Sequence, residues 1–152
     1  MDATDLHLVE LLRGNGRLSY AELARQVGLS APAVHERVGR LEASGVIRAY
    51  RAEVNPEAIG LGVTALVGVA QAAGSDVDDL LAMLSGLPEV ESCYFLAGEE
   101  SFLLQARVGT IAELESLVVR LSHTPGVART RTTIVLSTKW EGRPRPLRAT
   151  SS

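Results

Sequence analysis

The hydrophobic period of this chain changes once, after Gly45, and that change divides what its two halves can fold into. Before it, apolar residues recur at spacings of three and four: Leu6, Val9 and Leu12, then Leu23 and Val27, then Val34, Val38 and Leu41. That is the period of short amphipathic helices. Gly14 and Gly45 stop the first and third helices. Asp2 or Thr4 caps the first. Ser19-Tyr20-Ala21-Glu22 is a capping box, with Leu18 and Leu23 placed as a hydrophobic staple. Ser30 caps the third helix, and Pro32 lies in its first turn, where a missing N–H does no harm. Past Gly45, Val46 to Tyr50 reads as a short strand, and Asn55-Pro56 opens a connecting segment that runs to Gly60-Leu61-Gly62.

Residues 63 to 139 follow a different rule. Val63 to Ala70 is an apolar strand. Ser75 or Asp76 caps a helix through Leu80, Leu81 and Leu84 that ends at Gly86 and Pro88. Val90 to Leu96 and Phe102 to Val108 are strands about a turn at Gly98 to Ser101. Ile111, Leu114, Leu117, Val118 and Leu121 mark a second helix, and Val127 to Lys139 is a long β-rich run. The order βαββαβ specifies a ferredoxin-like sandwich. The chain therefore reads as α+β. A winged-type helix-turn-helix domain (1–50) and a linker (51–62) precede the sandwich (63–139), and a loose tail rich in Arg, Pro and Ser (140–152) follows.

Composition excludes several functions. With 46% hydrophobic residues the chain can bury a core, but with 4% aromatic residues that core is aliphatic. The net charge of −3 argues against coating nucleic acid by bulk charge, so DNA contact must come from a local arrangement of Arg. No signal peptide and no membrane span is apparent, which predicts a cytoplasmic protein. Cys93 is the single cysteine and lies in the apolar run Val90 to Leu96, where it reads as a small core residue. It offers no disulfide and no thiolate metal site. His7, His35 and His123 are scattered without acidic or thiol partners, so neither catalysis, a metal nor a cofactor is expected.

The element between Tyr20 and Leu41 carries the chemistry. Ala24, Gly28 and Val34 stand at the spacing a helix-turn-helix requires: a small residue for close helix approach, a Gly for positive φ at the turn, and an aliphatic facing back. Leu23, Val27, Leu29 and Val38 complete the seal. Rotating the helix that starts after Ser30 by 100° per residue puts Val34, Val38 and Leu41 on the core face. Pro32, Glu36, Gly39 and Ala43 lie opposite, flanked by Ala33, His35 and Arg40. The candidate DNA-contacting residues are Ser30, Ala31, Pro32, Ala33, His35, Glu36, Arg37 and Arg40. His35 and Glu36 can hydrogen-bond base edges, Ala31 or Ala33 can meet a thymine methyl, and Arg40 can reach phosphate. Arg37 lies beside the core face, where an ion pair with an acidic neighbour competes with DNA contact. Arg17, Arg48 and Arg51 are candidates for flanking phosphates or for plain solvation.

Asn15-Gly16-Arg17-Leu18-Ser19, Glu22-Leu23-Ala24, Val27-Gly28-Leu29-Ser30, Arg37-Val38, Leu41-Glu42, Gly45-Val46-Ile47 and Asn55-Pro56 resemble the Lrp/AsnC family of transcriptional regulators. The resemblance continues through the βαββαβ domain, including Val90-Glu91-Ser92-Cys93-Tyr94 and Ala97-Gly98, to about Lys139. It implies a regulator that binds double-stranded DNA, dimerises through paired sheets of the second domain and assembles further, often to octamers. It also implies an amino acid effector bound near the turn between the second and third strands. Here the candidate effector residues are Gly98, Glu99, Glu100, Ser101 and Phe102. Gly98 matches the family pattern, but Ser101 stands where an Asp is usual. Ser is a weaker acceptor for an effector's ammonium, and Glu99 or Glu100 is placed to compensate. The departure keeps a second function in view, a nucleoid-architecture protein that wraps DNA with little effector control.

Overall fold

A computed structural model of the chain describes residues 1–147; the last part of the tail expected at 140–152 lies outside the described residues. The chain forms two compact units, one from residues 1–53 joined by 140–147, the other from residues 54–139.

The first unit contains α1 (Ala3–Gly14), α2 (Tyr20–Val27) and α3 (Ala31–Ala43). Each begins at a capped N-terminus. Asp2 accepts from the Asp5 N–H, and Asp5 answers with a capping box. Ser19 and Glu22 form the capping box read from the sequence, and Ser30 caps α3 with Pro32 in its first turn. Leu8, Leu23, Ala24, Val34 and Val38 form the core, with Leu18, Val27 and Ile47 packed against it. Leu29, expected in the seal, is 37% exposed. Gly28 ends α2 at φ 70°, a left-handed conformation that a side chain would strain.

Val46 to Tyr50 does not form the expected strand; the sole sheet among the described residues belongs to the second unit. Val46 and Ile47 lie in a bend, and the segment has no neighbouring strand to bond with. Instead the Ile47 N–H donates to the Leu41 carbonyl at 3.0 Å, which folds the segment back onto the end of α3. Residues 140–147 join this unit: Arg13 Nη1 donates to the Arg145 carbonyl at 2.9 Å, and the Arg143 guanidinium lies 4.9 Å from the Trp140 ring centroid.

The second unit runs β1 (Val63–Gln71), α4 (Val77–Ser85), β2 (Val90–Phe95), β3 (Phe102–Val108), α5 (Ile111–Ser122) and β4 (Val127–Val135), after a 3-10 turn at Glu57–Ile59. The strands form one antiparallel sheet in the order β2-β3-β1-β4. Ala65, Val67 and Val69 of β1 pair with Ala106, Leu104 and Phe102 of β3. With Leu80, Leu84, Leu114, Leu117 and Leu121 they form a core that is aliphatic but for Phe102. Asp76 caps α4, and Thr110 caps α5. The other sheet face carries Leu66, Gly68, Leu103, Gln105 and Tyr94, by the alternation of these registers. Cys93 is exposed rather than buried. β2 is an edge strand, and α5 packs against β1, β3 and β4, so the cover ends before Cys93. Partial burial still raises its thiol pKa.

Candidate nucleic-acid interface

α3 presents the outward face expected from its rotation. Val34, Val38 and Leu41 are buried beneath it, while Pro32, His35, Glu36, Gly39 and Arg40 are exposed. Ser30 is exposed at the cap, and Ala31 and Ala33 are half-buried at the flanks. No large apolar side chain stands on this face, so a DNA groove can approach it without desolvating one.

Three contacts set the chemistry of the face. The Tyr20 ring of α2 meets His35 edge to face, with centroids 4.8 Å apart. This holds the imidazole at the N-terminal half of α3, the part that meets base edges in helix-turn-helix proteins. Arg40 Nη1 lies 3.4 Å from Glu36 Oε1, an exposed i,i+4 pair worth little in water and easily exchanged for a phosphate. Glu36 is thereby screened.

Arg37 is turned away from the face. Its Nη1 sits 2.7 Å from Asp2 Oδ2 and 2.7 Å from Asp5 Oδ1, so it ties the start of α1 to the middle of α3. Both acids hold the Arg37 guanidinium pKa above its ordinary value. The Asp2 carboxyl is lowered, first by the Asp5 N–H and then by Arg37. The ion pair that the sequence allows for Arg37 is formed. The cluster Asp2-Asp5-Arg37 spans more than thirty positions of sequence, which hides it from local pattern.

The phenol of Tyr50 donates to Glu42 Oε1 at 2.8 Å. Burial and then this carboxylate push its pKa up to about 12. This contact fastens the segment after Gly45 to the C-terminal half of α3.

The turn in the second unit is built differently from the expectation. Gly98 and Glu99 are exposed, and Glu100 and Ser101 are half-buried. The Ser101 N–H donates to the Val69 carbonyl at 2.8 Å, the Ser101 carbonyl accepts from Leu96, and Ser101 Oγ accepts from the Gln71 N–H at 3.4 Å. Ser101 is thus anchored to β1. Phe102 is 1% exposed and points into the core beside Phe95, so it shapes the turn from below and presents no ring to an effector. Glu100 folds over Gly68, where an added Cβ would lie 2.7 Å from Glu100 Cγ, and its Oε1 sits 3.3 Å from Arg131 Nε. Glu99 is looser, 3.8 Å from Arg129 and 3.6 Å from Arg131. The N–H groups of Gly98, Glu99 and Glu100 have no acceptor among the described residues. No cluster of His, Cys, Asp and Glu among the described residues could hold a metal.

A capped helix pair closed by a left-handed Gly, with a bare outward face on its second helix, defines a helix-turn-helix DNA-binding protein; the antiparallel sandwich that follows in the chain makes it a two-unit regulator type. The AsnC-type helix-turn-helix domain matches residues 1–42, and the Lrp/AsnC ligand binding domain matches residues 63–144. The chain belongs to the Lrp/AsnC family of transcription regulators. It is 45% identical over 143 residues to the HTH-type transcriptional regulator LrpA of Mycobacterium tuberculosis, covering 94% of this chain and 95% of that one. It is also similar to two solved structures. The first is the feast or famine regulatory protein of M. tuberculosis complexed with L-methionine: TM-score 0.90, 44% identity, 96% of this chain and 99% of that one. The second is a Neisseria meningitidis transcriptional regulator in complex with L-methionine: TM-score 0.88, 33% identity, 93% of each chain.

Proposed function

We propose that this chain is a cytoplasmic, dimeric, sequence-specific transcription regulator whose DNA reading responds to a small amino acid. The observation that carries the reading is the face of α3: Tyr20 holds His35 toward the base-reading end while Arg40 keeps only a weak, exchangeable partner. On this reading His35 and Glu36 read base edges, Ala31 and Ala33 offer methyl contacts, Arg40 grips phosphate, and Ser30 and Pro32 start the helix in register.

Dimerisation uses the sheet face opposite the helices, where Leu66 and Leu103 stand beside the exposed Tyr94. Further assembly, up to an octamer, arrays the helix pairs. The effector's carboxylate binds the open N–H groups of Gly98 to Glu100, and its ammonium meets Glu99, the freer of the two glutamates. Two relatives complexed with L-methionine support an amino acid in this role. The chain itself has no catalytic assignment in this reading.

A thermal-shift screen with the twenty amino acids, L-methionine first, tests it. A ligand at about a hundred times its Kd stabilises by about 2.7 kcal/mol, and Glu99→Gln should reduce the shift. Ser101, anchored to β1 where an Asp is usual, keeps the architectural reading as the rival. A flat screen together with tight, salt-dependent binding to random DNA would favour that rival.

A further inference from the structure

Arginine is distributed unevenly in this chain. Of those in the first unit, Arg37 and Arg40 are ion-paired with carboxylates, and Arg25 interacts electrostatically with Glu22. Four of those without a carboxylate partner stand together. Arg13, Arg17, Arg48 and Arg51 line one open groove of about 1130 Å³ between the end of α1 and the irregular segment after Gly45. Glu53 is the single carboxylate among its described lining residues. Five other acids of the unit are engaged: Asp2 and Asp5 with Arg37, Glu22 with Ser19, Glu36 with Arg40, Glu42 with Tyr50. In a protein of net charge −3 this leaves a concentrated positive surface.

The C-terminal segment adds to it. Gly142-Arg143-Pro144-Arg145-Pro146 carries two Arg two positions apart, and each proline fixes its own φ near the extended value. Arg13, a lining residue of the groove, holds the Arg145 carbonyl at 2.9 Å, so the segment is fastened at the groove's rim. Its residues from Glu141 to Pro146 are exposed. The groove is also continuous with the helix pair. Gly16 lies against Tyr50, since a Cβ there would be 3.4 Å from Tyr50 Cδ1, and Tyr50 bonds Glu42 of α3. Arg17 stands two residues before the cap of α2, whose Tyr20 touches His35.

We propose that this groove and the Arg143–Arg145 arm form a second DNA-contacting surface, which grips duplex phosphates flanking the bases read by α3. The proposal rests on the helix-turn-helix reading above and extends it from one helix to most of the first unit. It accounts for how an acidic protein holds a polyanion: the charge is local, forked for bidentate phosphate contact, and left unpaired where it is used. The tail, by this account, is an arm of the DNA-binding unit.

The test measures binding of the full chain to a mixed-sequence duplex across a salt series. Each phosphate contact contributes about 0.9 to the slope of log K against log salt. The triple variant Arg17→Ala/Arg48→Ala/Arg51→Ala should lower the slope by roughly 2–3 per protomer, and Arg143→Ala/Arg145→Ala by roughly 2. Each should weaken low-salt binding at least about tenfold, while melting as the unaltered chain does. The corresponding Lys variants, which keep the charge, should restore most of the slope. Variants that keep both slope and affinity would overturn this proposal and leave the helix-turn-helix reading standing. A full chain that binds no duplex at all would overturn both.

Discussion

The two units of this chain solve stability by different means. The sandwich buries twelve side chains, all aliphatic but Phe102, in one core around Val67, Leu104 and Leu117. The helical unit buries a core cluster of five, Leu8, Leu23, Ala24, Val34 and Val38. So small a core supplies little hydrophobic free energy, and each helix is short enough to be marginal alone. The unit compensates at its helix ends, with capping boxes at Asp2 and Ser19, a cap at Ser30 and the Asp2-Asp5-Arg37 cluster. Charge follows the same division. In the sandwich Arg107, Arg120, Arg129 and Arg131 each face a carboxylate. The helical unit leaves Arg13, Arg17, Arg48 and Arg51 without one among the described residues. A scaffold neutralises itself; a DNA-facing unit keeps charge in reserve and accepts some self-repulsion.

The largest effect that would break this comparison is in the sandwich. Leu117 is fully buried, and Leu117→Ala should cost about 2–5 kcal/mol through lost transfer energy and the cavity left behind. Amide exchange followed residue by residue should show protection lost across β1, β3 and α5 while Leu23 and Val34 keep theirs. Simultaneous loss in both units would show that they melt as one body.

On the other side of the comparison, His35→Ala removes an exposed side chain that supports no core. It should leave stability almost unchanged and cost roughly 1–3 kcal/mol of DNA binding at a single base position. Binding to a set of point-substituted operator duplexes measures this. Equal loss on every duplex would make His35 a backbone contact. A smaller effect tests the helix ends. Ser19→Ala removes the acceptor for the Glu22 N–H and the hydroxyl that donates to Glu22, and should destabilise the helical unit by about 1 kcal/mol. Thermal melting followed at residues of α2 reads it; no change would mean the small core alone suffices.

How much of this was legible in the sequence depends on the range of each interaction. Ser19, Glu22, Ser30 and Gly28 act within four residues, and their roles are readable from spacing alone. The βαββαβ order is equally local, being a succession of periods. What was not legible needed a partner distant in sequence. Val46 to Tyr50 has strand composition but no strand beside it. Cys93 sits in an apolar run whose strand turns out to be an edge. Arg37 found its acids at the start of α1, and Glu100 found its place over Gly68, on a strand thirty-two residues away. Thr110, the cap of α5, is equally local, since Glu113 stands three residues on.

The last prediction uses acid to separate the units. Asp2 and Glu22 have carboxyl pKa values below the ordinary range: Asp2 first because the Asp5 N–H bonds it, Glu22 first because the Ser19 hydroxyl does. A group with a lowered pKa in the folded state stabilises it fully above the unfolded value, and that contribution fades as pH falls through the folded value. Lowering pH below the ordinary carboxylate range should therefore weaken the caps of α1 and α2 and release Arg37. The core around Leu104 and Leu117 contains nothing that protonates. Two-dimensional NMR across an acid titration should show cross-peaks of α1 to α3 shifting and broadening while those of β1 and β3 persist. Added salt should advance the loss, because the Arg37 cluster is partly exposed and screened. If the sandwich peaks broaden first, the helical unit does not depend on its charged ends, and the contrast between a unit held by its core and one held by its caps fails.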